Sequence, residues 1–371
     1  MNDKVESPQP EQDSEDAFAV SVDKLLQEQQ FFLTSEAQQE LQGQIKANKR
    51  FICIVGMHQE GKERVERFLK IPQRDSADVP FRRQILLGQF LREDGRIKTR
   101  GVVAKNLNRE AGLPYAIMET FPSGEAEIGF ITSPEDMTLL TAKEAQSCLA
   151  TLEQLHEIEL KIMPENTKTA LKRYVGSADE FFAAIMNKLD KKVCPADTQG
   201  QAESYDQVLN RRLGVTNFRE RVQKLLDVFQ DVIKNEEGKK EVLVHGDLSP
   251  TNLYIYDNGE VEFVDLEWGG ICDNEAIATI IDFGNLRARA WNNQEFREGL
   301  DAAILEKYRK EGKEDLGKSI VVLGILRSHM SLAGFFENYP LEKQLKEEQR
   351  LRREATEADI IKAWQIAGVA F

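Results

Sequence analysis

The chain has 371 residues, 41% of them apolar, and a formal net charge of −14. That length exceeds one average domain and predicts two lobes or domains with a sizeable core. The acidity excludes a general nucleic-acid binder, which needs a basic footprint. It mildly favours neutral or cationic small partners, although an aid to solubility is the plainer reading.

Residues 1–20 carry six acids and one lysine among Gln, Ser and Pro, and predict a disordered acidic tail. No signal peptide is visible in this acidic, polar start. Cys53, Cys148, Cys194 and Cys272 are scattered without metal-ligand spacing, which points to a reduced, cytoplasmic setting without disulfides. The longest apolar run, 320–336, is broken by Arg327 and His329, so no membrane partner is expected. Oligomeric state leaves no trace in the sequence.

Residues 21–48 read as one helix, with Leu25, Leu26, Phe32, Leu33, Leu41 and Ile45 spread among Gln and Glu. Strands are predicted over 50–55 and over 64–71, the second stopped by Pro72. A helix over 81–91 and an apolar stretch over 115–121 follow. A helix spans 142–160, with His156 near its end. Amphipathic helices then run to Lys240, interrupted by a polar stretch at 196–204, and 276–371 is helical again. His156 and His329 read as satisfied core histidines, and Asp282 as a buried, hydrogen-bonded structural acid. Trp268 and Trp291 could line an acceptor pocket, with core packing the default.

Gly56-Met57-His58-Gln59-Glu60-Gly61-Lys62-Glu63 nearly matches the phosphate-binding loop G-x-x-x-x-G-K-[ST] and follows a strand-like run. Glu63 stands where the metal-binding hydroxyl belongs, and too few residues precede Pro72 for a full crossover helix. The other reading of this segment is a turn between two early strands.

The most specific segment is His245-Gly246-Asp247-Leu248-Ser249-Pro250-Thr251-Asn252, followed by Val261-Glu262-Phe263-Val264-Asp265-Leu266-Glu267. Between them, Asp257-Asn258-Gly259-Glu260 signals a hairpin. With Asn258 and Gly259 as a two-residue loop, Asp257 pairs with Glu260, and Asn252 faces Asp265 with Cβ atoms roughly 5 Å apart. An amide oxygen and a carboxylate so placed can hold Mg²⁺. A three-residue loop with a bulge would shift this register by one. Asp247 precedes Asn252 by the spacing of the catalytic loop in phosphoryl transfer, where the Asp takes the proton of the attacking hydroxyl.

At these residues the chain resembles the aminoglycoside phosphotransferase and choline kinase superfamily, whose pattern is H-G-D-x-x-x-x-N, a hairpin, then a strand ending in D-x-E or D-x-D. The resemblance implies an α+β, two-lobed, protein-kinase-like fold. After the tail, an N-lobe with a small antiparallel sheet would occupy 21–121, and a larger, mostly helical C-lobe 122–371. It implies ATP- and Mg²⁺-dependent transfer of a phosphoryl group to a small-molecule hydroxyl acceptor. Gly246, where protein kinases carry Arg, favours small acceptors over protein side chains. Asp247 would be the base, and Asn252 and Asp265 the metal ligands. ATP would lie between the lobes, with Lys70 reaching its phosphates and the backbone of Met118, Glu119 and Thr120 contacting adenine. Aligned on Leu91, the helix offers Gln84 where the family has the glutamate that pairs this lysine. That departure supports an alternative: a catalytically inactive nucleotide-binding or scaffold protein.

Overall fold

The computed structural model describes residues 10–121, 129–193, 210–211, 213–214, 216–336 and 347–369. Residues 1–9, Cys194, the stretch 196–204 and the side chain of His329 lie outside them. The chain divides into two units. The first takes Met1–Glu93, Thr99–Gly124 and Glu165–Ala170; the second takes Asp94–Lys98, Glu125–Pro164 and Leu171–Phe371.

The first unit is built on a five-stranded sheet in the order β1-β2-β3-β5-β4, antiparallel at every pairing. Its strands are β1 (Phe31–Phe32), β2 (Phe51–Glu60), β3 (Glu63–Pro72), β4 (Val102–Asn106) and β5 (Tyr115–Glu119). Alternation along β2 and β3 sends Ile52, Ile54, Leu69 and Ile71 into a core with Val22, Leu25, Leu41, Ile45 and Ile117. Gln44 acts as a short false strand: its amide donates to Cys53 O (2.8 Å), and its oxygen accepts from Cys53 N (2.9 Å). The edge of β2 is thereby paired where β1 does not reach.

Two expectations change here, and of the two readings of residues 56–63 the turn between strands holds. Residues 10–20 are not a disordered tail but begin the Pro10–Glu28 helix. Proline suits a first helical turn, and Phe18, Ala19, Val22, Leu25 and Leu26 form one apolar stripe that the core receives. The single helix over 21–48 is two helices, because Gln30 adopts a positive φ of 49°. Phe31 and Phe32 then pair with His58 and Met57, and Thr34 caps a new helix, Ser35–Lys46, by accepting from Ala37 N. The phosphate-loop near-match is a hairpin. Register runs unbroken from Phe51↔Pro72 to Glu60↔Glu63, closed by Gly61 (φ 63°) and Lys62. A phosphate-binding loop needs a helix where this chain turns back into a strand.

The second unit is mostly helical. It carries two three-stranded sheets, β10-β9-β6 and β7-β11-β8. These comprise β6 (Gly129–Phe130), β7 (Lys172–Arg173), β8 (Val242–Val244), β9 (Leu253–Ile255), β10 (Val261–Phe263) and β11 (Gly270–Cys272). The Glu275–Arg289 helix is buried along most of its length. Arg287, 2% exposed, donates to both carboxylate oxygens of Asp301 (2.8 and 3.0 Å) and reaches Asp359 at 2.7 Å. Arg297 joins Asp359 at 2.8 Å, and Lys362 joins Asp301 at 2.9 Å. This network fastens the Gln294–Lys310 and Glu347–Ala367 helices to the Glu275–Arg289 helix. Desolvating these charges is offset only because each is paired and hydrogen-bonded. No described helix is long and apolar enough to cross a membrane.

His156 closes the Ala142–His156 helix, 3% exposed, and its Nε2 has no hydrogen-bond partner among the described residues. Burial, with Lys307 and Lys240 nearby, pushes its pKa down to about 3. Unfolding returns it to about 6.5, so the unfolded state binds the extra proton between those values, and stability falls as pH drops through that window. Replacing His156 with leucine removes this contribution. The unfolding free energy of His156→Leu should gain on the parent by about 3 kcal/mol between pH 7 and pH 4. Urea titrations at both pH values that give one constant difference would contradict the assignment.

Candidate active site

The strand β8 is fully buried and delivers His245, Gly246 and Asp247 to one side of the Glu275–Arg289 helix. That helix grips the three residues in order. Asp282 accepts the backbone N–H of His245 at Oδ2 and that of Gly246 at Oδ1, both at 2.8 Å. Asn285 Nδ2 donates to Gly246 O at 3.3 Å. Arg289 Nη2 donates to Asp247 Oδ1 at 2.7 Å. Positions 282, 285 and 289 follow the i, i+3, i+7 spacing of a single helix face. Burial raises the pKa of Asp282, while His245, Arg327 and the two backbone donors favour its charged form.

Gly246 is required twice over. Its φ is +82°, and a Cβ there would stand 2.0 Å from Tyr174 Oη and 2.5 Å from Trp268 O. A long side chain at this position has neither the conformation nor the space. His245 faces the other way: Nε2 lies 2.9 Å from Val264 O, and Nδ1 is 3.4 Å from Asp247 N. Val264 O can only accept, so Nε2 carries a proton and donates to it. His245 thus ties the loop to the residue before Asp265, an orienting role.

The hairpin corrects the expected register. Val261 pairs with Ile255, Glu262 with Tyr254 and Phe263 with Leu253. The ladder is one residue out from a two-residue loop. Tyr256 N donates to Glu260 O (3.0 Å), Gly259 N donates to Tyr256 O (2.8 Å), and Gly259 alone takes a positive φ, of 81°. The loop is therefore three residues, Asp257-Asn258-Gly259, with glycine at the bulge. Asn258 uses its side chain to accept Glu260 N at 2.9 Å rather than turning left-handed. Asn252 consequently faces Val264, whose N–H donates to Asn252 O at 3.0 Å, and not Asp265.

The two ligand candidates still come to the same end of the hairpin. Asn252 lies in a 3₁₀ turn, Pro250–Asn252, and its Nδ2 donates to Asp247 O at 2.8 Å. This leaves the amide oxygen as its donor to a metal. Asp265, immediately after Val264, holds a left-handed φ of 61°. For a non-glycine residue that conformation costs about 1–2 kcal/mol. Such strain is concentrated at functional positions. Asp247 is half-buried. Its pKa is raised by that burial, lowered by Arg289 and His245, and raised again by the nearby charge of Asp265. Among the described residues no three His, Cys, Asp or Glu side chains cluster as metal ligands. An amide oxygen and one carboxylate are nevertheless the hard, sparse protein contribution that suits Mg²⁺ when phosphates complete its shell.

Beside this loop Tyr174 Oη donates to Trp268 O at 2.8 Å. Lys172 Nζ stands 4.7 Å from the Tyr174 ring and 5.1 Å from the Trp268 ring. Trp268 is 38% exposed, so it is not the core residue that burial habits suggest.

In the first unit, Lys70 is 5% exposed on β3, lies 4.3 Å from the Phe51 ring centroid, and donates to Gln84 Oε1 at 2.6 Å. The aligned helix position does meet the lysine, and it is an amide. Of the linker candidates, Met118 sits between two strands, opposite Phe68 and Val102. Glu119 donates its N–H to Gly101 O (2.9 Å) and accepts from Arg92 with both carboxylate oxygens (2.5 and 2.9 Å). Thr120 O accepts from Arg100 at 3.1 Å. These strands and arginines therefore already engage much of the backbone expected to contact adenine. Asn285 and Arg289 are the site residues the sequence reading missed. Their signal was the spacing from Asp282 along an otherwise apolar helix.

Asp282→Ala should leave two buried N–H groups without an acceptor. At about 1–3 kcal/mol each, the expected loss of stability is about 2–6 kcal/mol. A denaturation midpoint within error of the parent's would show that the loop does not depend on this carboxylate.

No family model matches the sequence, and no curated protein matches it. Solved structures do. An aminoglycoside phosphotransferase from Alicyclobacillus acidocaldarius is 15% identical, with a TM-score of 0.51 over 85% of this chain and 90% of that one. The GDP and kanamycin complex of APH(2")-IIia is 13% identical, with a TM-score of 0.50 over 91% of this chain and all of that one (100%). At such identity the likeness concerns the fold. A five-stranded antiparallel sheet and a mostly helical second unit agree with it. This chain has a two-lobed, kinase-like α+β fold, shared with these aminoglycoside phosphotransferase structures.

Proposed function

We propose that the protein is a cytoplasmic, ATP- and Mg²⁺-dependent phosphotransferase acting on a hydroxyl of a small molecule. The observation that carries the reading is the loop from His245 to Asn252. Its backbone is pinned by Asp282 and Asn285, and its one outward carboxylate, Asp247, is half-exposed beside Asp265. GDP in the APH(2")-IIia structure supports nucleotide binding by this fold.

In this reading Asp247 accepts the proton of the acceptor hydroxyl as its oxygen attacks the terminal phosphorus, and the bond to the nucleoside diphosphate breaks. Asn252 and Asp265 would hold Mg²⁺, which when bound neutralises charge on the phosphates. Lys70 would steady phosphates in the role its family counterpart suggests. His245 keeps Val264, and with it Asp265, in place. Most of the rate then comes from positioning and from charges set in advance.

A second reading, nucleotide binding without transfer, draws on Gln84, an amide hydrogen-bonded to Lys70 where a carboxylate is expected. A panel of small hydroxyl compounds, assayed for phosphate transfer from Mg·ATP, separates the two. Asp247→Asn should keep nucleotide affinity and lose transfer by a factor on the order of 10² or more. Asp265→Asn should weaken Mg²⁺-dependent nucleotide binding. Full activity in either variant would refute the phosphotransferase reading. Tight ATP binding with no turnover on any compound would favour the second.

A further inference from the structure

Resting on that reading, we propose that Arg289 is a positioning residue, which fixes the carboxylate of Asp247 so that Oδ2 meets the acceptor hydroxyl. Asp282 and Asn285 hold the backbone of His245 and Gly246. The backbone carbonyl of Asp247 is held by Asn252 Nδ2. What remains movable in Asp247 is its side chain, and Arg289 takes Oδ1 at 2.7 Å. Among the described residues Oδ2 accepts no hydrogen bond. The two oxygens are therefore inequivalent, one anchored and one presented.

Arg289 can serve as a fixed point because of where it stands. It ends the Glu275–Arg289 helix, and a cation at a helix C-terminus is favoured by the helix dipole. Two residues earlier Arg287 is locked, 2% exposed, between Asp301 and Asp359. The last turn of the helix cannot shift without breaking that buried network. The three helices it joins thus set the position of Asp247 through Arg289. The step itself is balanced: the acceptor O–H proton passes to Oδ2, the freed oxygen bonds to the terminal phosphorus, and the P–O electron pair leaves with the nucleoside diphosphate.

The contact is a single hydrogen bond, from Nη2 only, so a lysine can reproduce it where a bidentate pair would not tolerate the change. The test is Mg·ATP hydrolysis by the full chain, with water as acceptor, in the parent, Arg289→Met, Arg289→Lys, Asp247→Asn and the Asp247→Asn/Arg289→Met double variant. Arg289→Met should lower kcat by a factor on the order of 10², the usual effect of a misplaced catalytic group. KM for ATP should stay within about twofold, since ground-state binding is untouched. Arg289→Lys should recover most of the rate. In the Asp247→Asn background, Arg289→Met should change nothing further, because the two residues act as one unit. Parent-like kcat in Arg289→Met, an equal loss in both backgrounds, or no rescue by lysine would overturn the proposal. Melting curves show whether Arg289→Met is folded; if it is not, Arg289→Lys decides, alone and combined with Asp247→Asn, since a near-parental rate that is lost only with Asp247→Asn supports the proposal and a rate as low as that of Asp247→Asn overturns it. Hydrolysis indifferent to Asp247→Asn would instead bring down the phosphotransferase reading itself.

Discussion

One buried carboxylate organises the second unit. Asp282 is fully buried, which disfavours its charge, yet it accepts two backbone N–H groups at 2.8 Å from consecutive residues of the loop. Each bond satisfies a donor that β8 cannot pair, since the chain leaves the sheet at His245. Removing the carboxylate would strand donors in a low-dielectric interior, where an unmet hydrogen bond costs most. The glycine between His245 and Asp247 permits the approach, and Tyr174 and Trp268 close the space its missing side chain leaves. The loop backbone is therefore held by hydrogen bonds from within the protein itself.

The same helix works in two directions. One face holds the loop through Asp282, Asn285 and Arg289. Another inserts Arg287 between acids of two further helices. A buried ion network adds little net stability over an apolar core of equal volume, but breaking one member is costly. Its consequence here is geometric: it defines where the helix ends, and hence where Arg289 and Asp247 meet. The first unit solves a comparable problem differently. Lys70 is placed by a sheet register unbroken along ten residue pairs and by the Gln84 amide on the Asp78–Asp94 helix.

The candidate site was legible in the sequence because it resides in a contiguous segment: a proposed base and two proposed metal ligands within nineteen positions, Asp247 to Asp265. The register between them was not. Asn-Gly serves a two-residue turn when both residues go left-handed, and a three-residue turn when only glycine does. Asn258 chose the second through its own side chain, a choice worth fractions of a kcal/mol that no pattern of apolar residues encodes. The helix break at Gln30 escaped for a similar reason, since Phe31 and Phe32 fit an amphipathic helix as well as an edge strand until β2 is there to pair them. The grip of Asn285 and Arg289 escaped because it joins segments about forty residues apart. A helix face reports that it is polar, but not what it meets.

Net charge and the charge at the site are separate matters. A total of −14 suggested neutral or cationic acceptors, but charges beyond a Debye length of about 8 Å are largely screened at physiological salt. What Asp247 experiences is local. Arg289 and His245 favour its ionised form, while burial and Asp265 oppose it. Lys172, over the rings of Tyr174 and Trp268, adds a further cation beside the same loop. The acidic surplus lies partly in the first twenty residues and partly on solvated helix faces, where Glu306, Glu314 and Glu347 pair with their own helical neighbours. Those exposed pairs contribute little to stability. The charge setting of Asp247 is thus a matter of its own neighbours rather than of composition.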